Sequence, residues 1–252
     1  MSALPPLVPL LAVLGIFALA GFVRGLTGFG AALIALPVAS ALVGPKAAIA
    51  ILALADWPAT LPLLPPAFRR CDWPTVLPAA LAAIVAVPFG AFILAHSDPD
   101  ALRWGLSITV MAMLALLVSG WRYRGAPRAP LSAAVGAIAG IFSGAAGIPG
   151  PPIVTYWMSG PAEKSVLRAN LITFFTFTGV GSLISYTVAG LFTQTVWISA
   201  LFAAPVYGLA TWLGARAHPH MPEARFRAIA FALIALSAVI GLPLFDPILR
   251  GV

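Results

Sequence analysis

Apolar residues run along this chain in long blocks, separated by short gaps where the charges collect. Eight apolar segments result, at residues 7–43, 47–66, 74–95, 103–120, 130–159, 166–191, 195–214 and 226–248. A helix that crosses a bilayer needs about 20 apolar residues at about 1.5 Å each. Six segments have that length, whereas 7–43 would be about 56 Å long as one helix and 130–159 about 45 Å. Both long segments carry glycine near their middles, in Gly25-Leu26-Thr27-Gly28-Phe29-Gly30 and in Gly144-Ala145-Ala146-Gly147-Ile148-Pro149-Gly150-Pro151-Pro152. Glycine and proline free backbone groups that only neighbouring protein or water can satisfy inside a membrane. The pattern predicts two helical hairpins that turn inside the bilayer.

Gly21, Gly25 and Gly28 match Gly140, Gly144 and Gly147 at a constant offset of 119 residues. Pro88 and Gly90 lie near the places later taken by Pro205 and Gly208, and Arg103 opens the fourth segment as Arg227 opens the eighth. The matching order predicts an internal repeat, with halves at 1–120 and 121–252, each a V-shaped re-entrant hairpin plus three transmembrane helices.

Composition agrees with an all-α polytopic membrane protein. Of 252 residues, 61% are hydrophobic and 8% charged, and the mean hydropathy is +1.03. Soluble domains carry about a quarter charged residues, so a soluble enzyme, a disordered regulator and a secreted disulfide scaffold are excluded. The excess of basic residues does not point to nucleic acid, because they sit in the gaps between apolar runs. Cys71 is the sole cysteine. Ala18-Leu19-Ala20 resembles a signal-peptidase site, but no Lys or Arg precedes Arg24 and Pro5, Pro6 and Pro9 precede the apolar stretch, so no cleavage is expected.

Charge chooses the topology. If all eight segments crossed once, six basic residues would face one side and seven the other. If segments one and five return to the side they entered, Lys46, Arg103 and Arg250 stay on one side. Arg69, Arg70, Arg122, Arg124, Arg128, Lys164, Arg168, Arg216, Arg225 and Arg227 then collect on the other. Ten against three satisfies the positive-inside rule. Each half then has three crossings, so the halves are inverted, both termini lie outside, and the two glycine tips can meet near the midplane.

Each tip starts a new half-helix whose first N–H groups are unpaired and attract anions. Thr27, Gly28, Phe29 and Gly30 form the first tip, and Ser143, Ala146, Gly147, Pro149 and Gly150 the second. Glycine permits positive φ and close approach to a ligand; the same spacing also serves tight helix packing. Arg24 stands alone deep in an apolar segment, where arginine costs about 2.5–3.5 kcal/mol. Its planar fork suits a two-pronged hold on an oxyanion. The alternative is an ion pair with Asp56, the single acid well inside a span. Asp56 itself reads as a coupling acid, as that partner, or as a polar spot beside Trp57-Pro58. Thr27, Ser143, Asn170 and Thr173 offer neutral donors or glue between helices. His96 with Asp98 and Asp100 falls in an outside loop, and His218 with His220 in a cytoplasmic one; no metal site or cofactor is expected. Trp73, Trp104, Trp121, Trp197 and Trp212 fall at segment ends, as interfacial anchors do.

Three stretches resemble one family. Gly21-Phe22-Val23-Arg24-Gly25-Leu26-Thr27-Gly28-Phe29-Gly30 resembles the first signature of the TauE/SafE sulfite exporters. Gly140 through Pro152, followed by Arg168-Ala169-Asn170, resembles the second, and Gly208…Gly214-Ala215-Arg216 with Phe226-Arg227 resembles the start of the family's last third. Arg24 departs from the family, many of whose members carry a small or apolar residue there. The resemblance implies a bacterial inner-membrane permease for sulfite, sulfonates and related anions. The leading expectation is therefore a secondary transporter with protons as coupling ion, its anion held between the two tips. A passive anion channel is the alternative. An intramembrane lipid-pyrophosphate phosphatase ranks lower, because neither tip carries Glu, Asp, His or Cys.

Overall fold

A computed structural model describes residues 7–120, 123, 125, 127–158, 163–217 and 223–245, with the backbone alone at 7, 8, 164, 223–227 and 245. The expectations for Trp121, Arg122, Arg124, His218, His220 and Arg250, and for the side chains of Lys164, Arg225 and Arg227, lie outside the described residues.

The described chain is helical throughout. The long first segment divides into α1 (Leu7–Thr27) and α2 (Ala31–Val43), and the fifth into α7 (Ala129–Ala146) and α8 (Gly150–Trp157). Between them run α3 (Pro45–Thr60), α4 (Leu64–Arg70), α5 (Trp73–His96) and α6 (Pro99–Val118); after them come α9 (Lys164–Val188), α10 (Gln194–Ala217) and α11 (Glu223–Ile240). Among the described residues seven helical stretches are long and apolar enough to cross a membrane.

The glycine breaks have distinct geometries. Gly28 (φ 82°) and Gly30 (φ 91°) turn α1 into α2, and α1 packs back against α2. Gly147 (φ 65°) ends α7, where its N–H bonds to Ser143 O at 2.9 Å, the 5→1 bond of an αL cap, and the Ile148 N–H reaches Phe142 O at 3.2 Å. The arms are unequal. The 21 residues of α1 span about 31 Å and the 13 of α2 about 20 Å.

Two elements differ from expectation. The span at 47–66 is interrupted by a 3-10 turn at Leu61–Leu63, because Pro58, Pro62, Pro65 and Pro66 withdraw successive N–H groups from the helical ladder. Helix α6 starts four residues before Arg103, because Asp98 caps it: Asp98 Oδ2 accepts the N–H groups of Asp100 and Ala101 at 3.0 Å each. Arg103 is therefore one turn inside the helix, where it is buried and donates to Gly241 O at 3.4 Å.

The helices gather into two compact units. One comprises Met1–Ala59, Ser97–Ala115 and Gly190–Val252; the other comprises Thr60–His96 and Leu116–Ala189. Each unit draws on both halves of the sequence.

In the first unit α1 packs along α10 through glycine. A Cβ at Gly21 would meet Tyr207 O, one at Gly25 would meet Thr211 O and Ala215 N, and one at Gly214 would meet Phe22 O. In the second unit α7 packs along α5 in the same way: Gly140 faces Ala83 O, Gly144 faces Val87 O and Ala91 N, and Gly90 faces Ile141 O. Every contact in one set maps onto the other, at an offset of 119 for α1 onto α7 and 124 for α5 onto α10. Gly90 thus corresponds to Gly214, whereas Gly208 faces open space. Lipid tails give helices no hydrophobic reason to associate, so close backbone approach through small residues supplies the packing. The outer faces are correspondingly apolar, as along α5, where Leu81, Val85 and Phe89 are 56%, 68% and 66% exposed.

Candidate functional site

The close fit of α1 on α10 determines what lies beside the first break. With Gly21 seated on the Tyr207 carbonyl, the Tyr207 side chain packs edge-on against Phe17, ring centroids 6.5 Å apart. Its hydroxyl reaches the last turn of α1. There Arg24 Nη1 donates to the Tyr207 oxygen at 3.0 Å. Tyr207 in turn donates to Asp56 Oδ1 at 2.5 Å, and Arg24 pairs with that same carboxylate oxygen. Three helices, α1, α3 and α10, thus each contribute one group to a charged cluster within the first unit. Tyr207 is fully buried, while the Arg24 and Asp56 side chains keep 14% and 30% exposure. A cluster that is closed on one side and open on the other can exchange partners with a ligand.

The break that follows Arg24 is open and uncapped. Thr27 Oγ1 accepts the Phe29 N–H at 3.1 Å and lies 3.0 Å from Val23 O, which closes the last turn of α1. Helix α2 follows Gly30, an N-cap without a side-chain cap bond, so its first N–H groups lack intrahelical partners and carry the positive end of its dipole. Nothing lies within 4 Å of the Cβ positions of Gly28 and Gly30. The break adjoins open space, and Thr27, Gly28, Phe29 and Gly30 are all partly exposed.

The second break is built differently. The residue equivalent to Arg24 at the 119-residue offset is Ser143, buried and hydrogen-bonded to Ser182 at 3.1 Å. Tyr186 donates to the carbonyls of Ser143 and Gly144, each at 2.9 Å, satisfying the end of α7. Helix α8 starts behind Pro149, and Pro151 and Pro152 remove two N–H groups from its first turn. Gly150 and Ala146 are buried. This break therefore offers fewer donors and carries no charge.

Residues 13–240 match the family described as Sulfite exporter TauE/SafE. The chain belongs to the TauE/SafE family. A curated relative, the probable sulfite/organosulfonate exporter TauE of Cupriavidus necator, is 29% identical over 248 residues, which cover 93% of this chain and 95% of the relative. No solved structure matches. Family membership makes the chain a membrane transporter rather than an enzyme, and its apolar helices make it multi-pass.

Of the residues singled out in this TauE/SafE chain, Arg24 and Asp56 come together, and Thr27, Gly28, Phe29 and Gly30 follow within two turns. Ser143, Ala146, Gly147, Pro149 and Gly150 form the second break, while Asn170 and Thr173 lie on α9 facing the α4–α5 junction, where Asn170 Oδ1 accepts the Asp72 N–H at 2.7 Å. Sequence reasoning missed Tyr207. A lone tyrosine in an apolar run gives no sign of its partners until the helix that faces it is known.

Proposed function

We propose that this chain is a secondary transporter that carries sulfite or an organosulfonate across the bacterial inner membrane, with both termini outside. The anion binds at the first break, held by the Arg24 fork and the free N–H groups at the start of α2. The observation that carries this reading is the Arg24–Asp56–Tyr207 cluster, followed along the chain by an uncapped helix start that adjoins open space. A guanidinium and a helix N-terminus both favour an oxyanion, and Arg24 can bind two of its oxygens.

Asp56 accounts for coupling. With no substrate bound, its carboxylate neutralises Arg24. An arriving anion must take the guanidinium from Asp56, and the two negative charges would then repel. Protonation of Asp56 removes that repulsion and leaves Arg24 to the anion. Tyr207 keeps a hydrogen bond to each partner through the exchange. One proton then travels with each substrate anion.

Counterflow in proteoliposomes tests the proposal, with isethionate as the labelled anion. Wild-type protein should exchange it across a range of saturating concentrations. Arg24→Ala should insert and abolish exchange, and Arg24→Lys, which keeps charge and loses the fork, should retain a small fraction. Asp56→Asn should bind the anion but lose its dependence on a proton gradient. Exchange restored in the double variant Arg24→Ala/Asp56→Ala would remove Arg24 from the substrate site and leave it as the partner of Asp56.

A further inference from the structure

The second unit, whose break lacks charge, holds a different polar feature. On α9, Asn170 and Thr173 are three residues apart and share a face, which looks onto the junction between α4 and α5. Asn170, 3% exposed, spends its Oδ1 on the Asp72 N–H, which leaves its amide NH2 as donor. Thr173, fully buried, lies beside the Cys71 thiol, yet its hydroxyl has no hydrogen-bond partner of normal geometry. One residue along, Phe174 meets the Trp157 ring from α8 edge-on, centroids 5.7 Å apart. Trp157 is 3% exposed and its Nε1–H, a donor only, is also without a partner. The other tryptophans at segment ends, Trp73, Trp104, Trp197 and Trp212, are all more than a third exposed.

Buried donors without acceptors are rare in folded proteins, and each one asks for an explanation. Here two of them, Trp157 Nε1 on α8 and Thr173 Oγ1 on α9, come from neighbouring helices whose rings meet at Phe174, and the Asn170 amide NH2 lies one turn from Thr173. All three groups donate. The ligand chemistry they share is that of an acceptor with several oxygens, such as a sulfite or sulfonate head. We infer that Trp157, Thr173 and Asn170 form a second, neutral-donor oxyanion site in the second unit, separate from Arg24, at which the substrate anion pauses. The inference rests on the proposed anion transport for the identity of the substrate, not for the existence of the site.

Its surroundings favour that use. Arg69, Arg70 and Arg168 are exposed on the same unit, at the end of α4 and near the start of α9, and they raise the local concentration of anions. Burial pushes the Cys71 thiol up from its ordinary range, so it stays protonated at neutral pH and places no charge against an anion. A site of neutral donors binds less tightly than a guanidinium, and an anion in transit must bind well enough to enter and weakly enough to leave.

The test counts sites on the full chain in lipid nanodiscs by equilibrium dialysis of radiolabelled methanesulfonate, which does not consume maleimides. Wild type should bind two per chain. Arg24→Ala should bind one, and so should Trp157→Phe/Thr173→Val, which keeps ring and shape and removes both donors. In the Arg24→Ala protein, methanesulfonate should still slow alkylation of Cys71, the sole cysteine, and Thr173→Val in that background should raise the half-protecting concentration at least fivefold. This last measurement serves if the paired variant fails to fold. One site per chain, lost in Arg24→Ala and untouched by the paired variant, overturns the inference. One site lost in the paired variant but kept in Arg24→Ala supports it and overturns the role proposed for Arg24. Binding of none, or Cys71 alkylation indifferent to methanesulfonate, also overturns it.

Discussion

Tyr207 links a cation and an anion without being either. Its hydroxyl accepts from Arg24 and donates to Asp56, so it braces an ion pair whose members also touch directly. Tyr207→Phe keeps the ring against Phe17 and removes only the hydroxyl. A hydrogen bond to a charged group contributes about 1.5–3 kcal/mol, which is roughly a tenfold to hundredfold rise in KM for counterflow if the hydroxyl still holds Arg24 when substrate is bound. An unchanged KM would make Tyr207 a packing residue. Asp56 and Arg24 were legible as site residues because an isolated charge in an apolar run is expensive and needs a reason. Their third member was not, since a tyrosine in such a run looks like any interfacial aromatic until the helix facing it is known. Ser143 shows the converse: it reads as a donor at a tip, yet its hydroxyl is already committed to Ser182.

At the scale of elements, glycines that look alike in sequence do two separate jobs. Gly25 and Gly144 have no room for a Cβ because the carbonyls of Thr211 and Val87 occupy the place. Gly28 has ample room but a φ of +82° that other residues adopt at a cost of about 1–2 kcal/mol. Gly25→Ala and Gly144→Ala should therefore lower the melting temperature in detergent more than Gly28→Ala does. Gly28→Val, with its branched Cβ beside the start of α2, should instead abolish exchange while the protein remains folded. Equal losses of stability at Gly25 and Gly28 would mean that backbone conformation, not packing, dominates both. The helix breaks were legible because glycine and proline act locally. The start of α6 was not: His96, Asp98 and Asp100 suggest a polar loop, and only the bonds from Asp98 to the next N–H groups turn that loop into a cap.

For the whole molecule, the uneven distribution of basic residues supports an orientation that labelling can check. In a Cys71→Ser background, Asp98→Cys should react with an impermeant thiol reagent on intact cells. Gly125→Cys should react only after the membrane is opened. The reverse pattern would overturn the orientation and with it the proposed direction of each half. The matching glycine contacts of α1 on α10 and α7 on α5 support an internal repeat; the inversion of the halves rests on the charges alone.

That the first arm of each hairpin packs on a helix from the other half has a consequence for how the protein is made. Translation proceeds at about 5–20 residues per second, and α10 follows α1 by about 170 residues, so α1 waits on the order of ten to thirty seconds in the membrane for its permanent neighbour. Asp56 emerges much sooner and can shield Arg24 through the wait, before Tyr207 exists. Neither half can finish its own core by itself. Residues 1–120 and 121–252, expressed as separate chains, should each be degraded, whereas co-expression should restore both the full-length level and anion exchange. Accumulation of either half alone would show that its helices find partners at home. The exchange thus turns a duplicated sequence into an obligate partnership, one in which quality control can judge the first half only after the second has arrived.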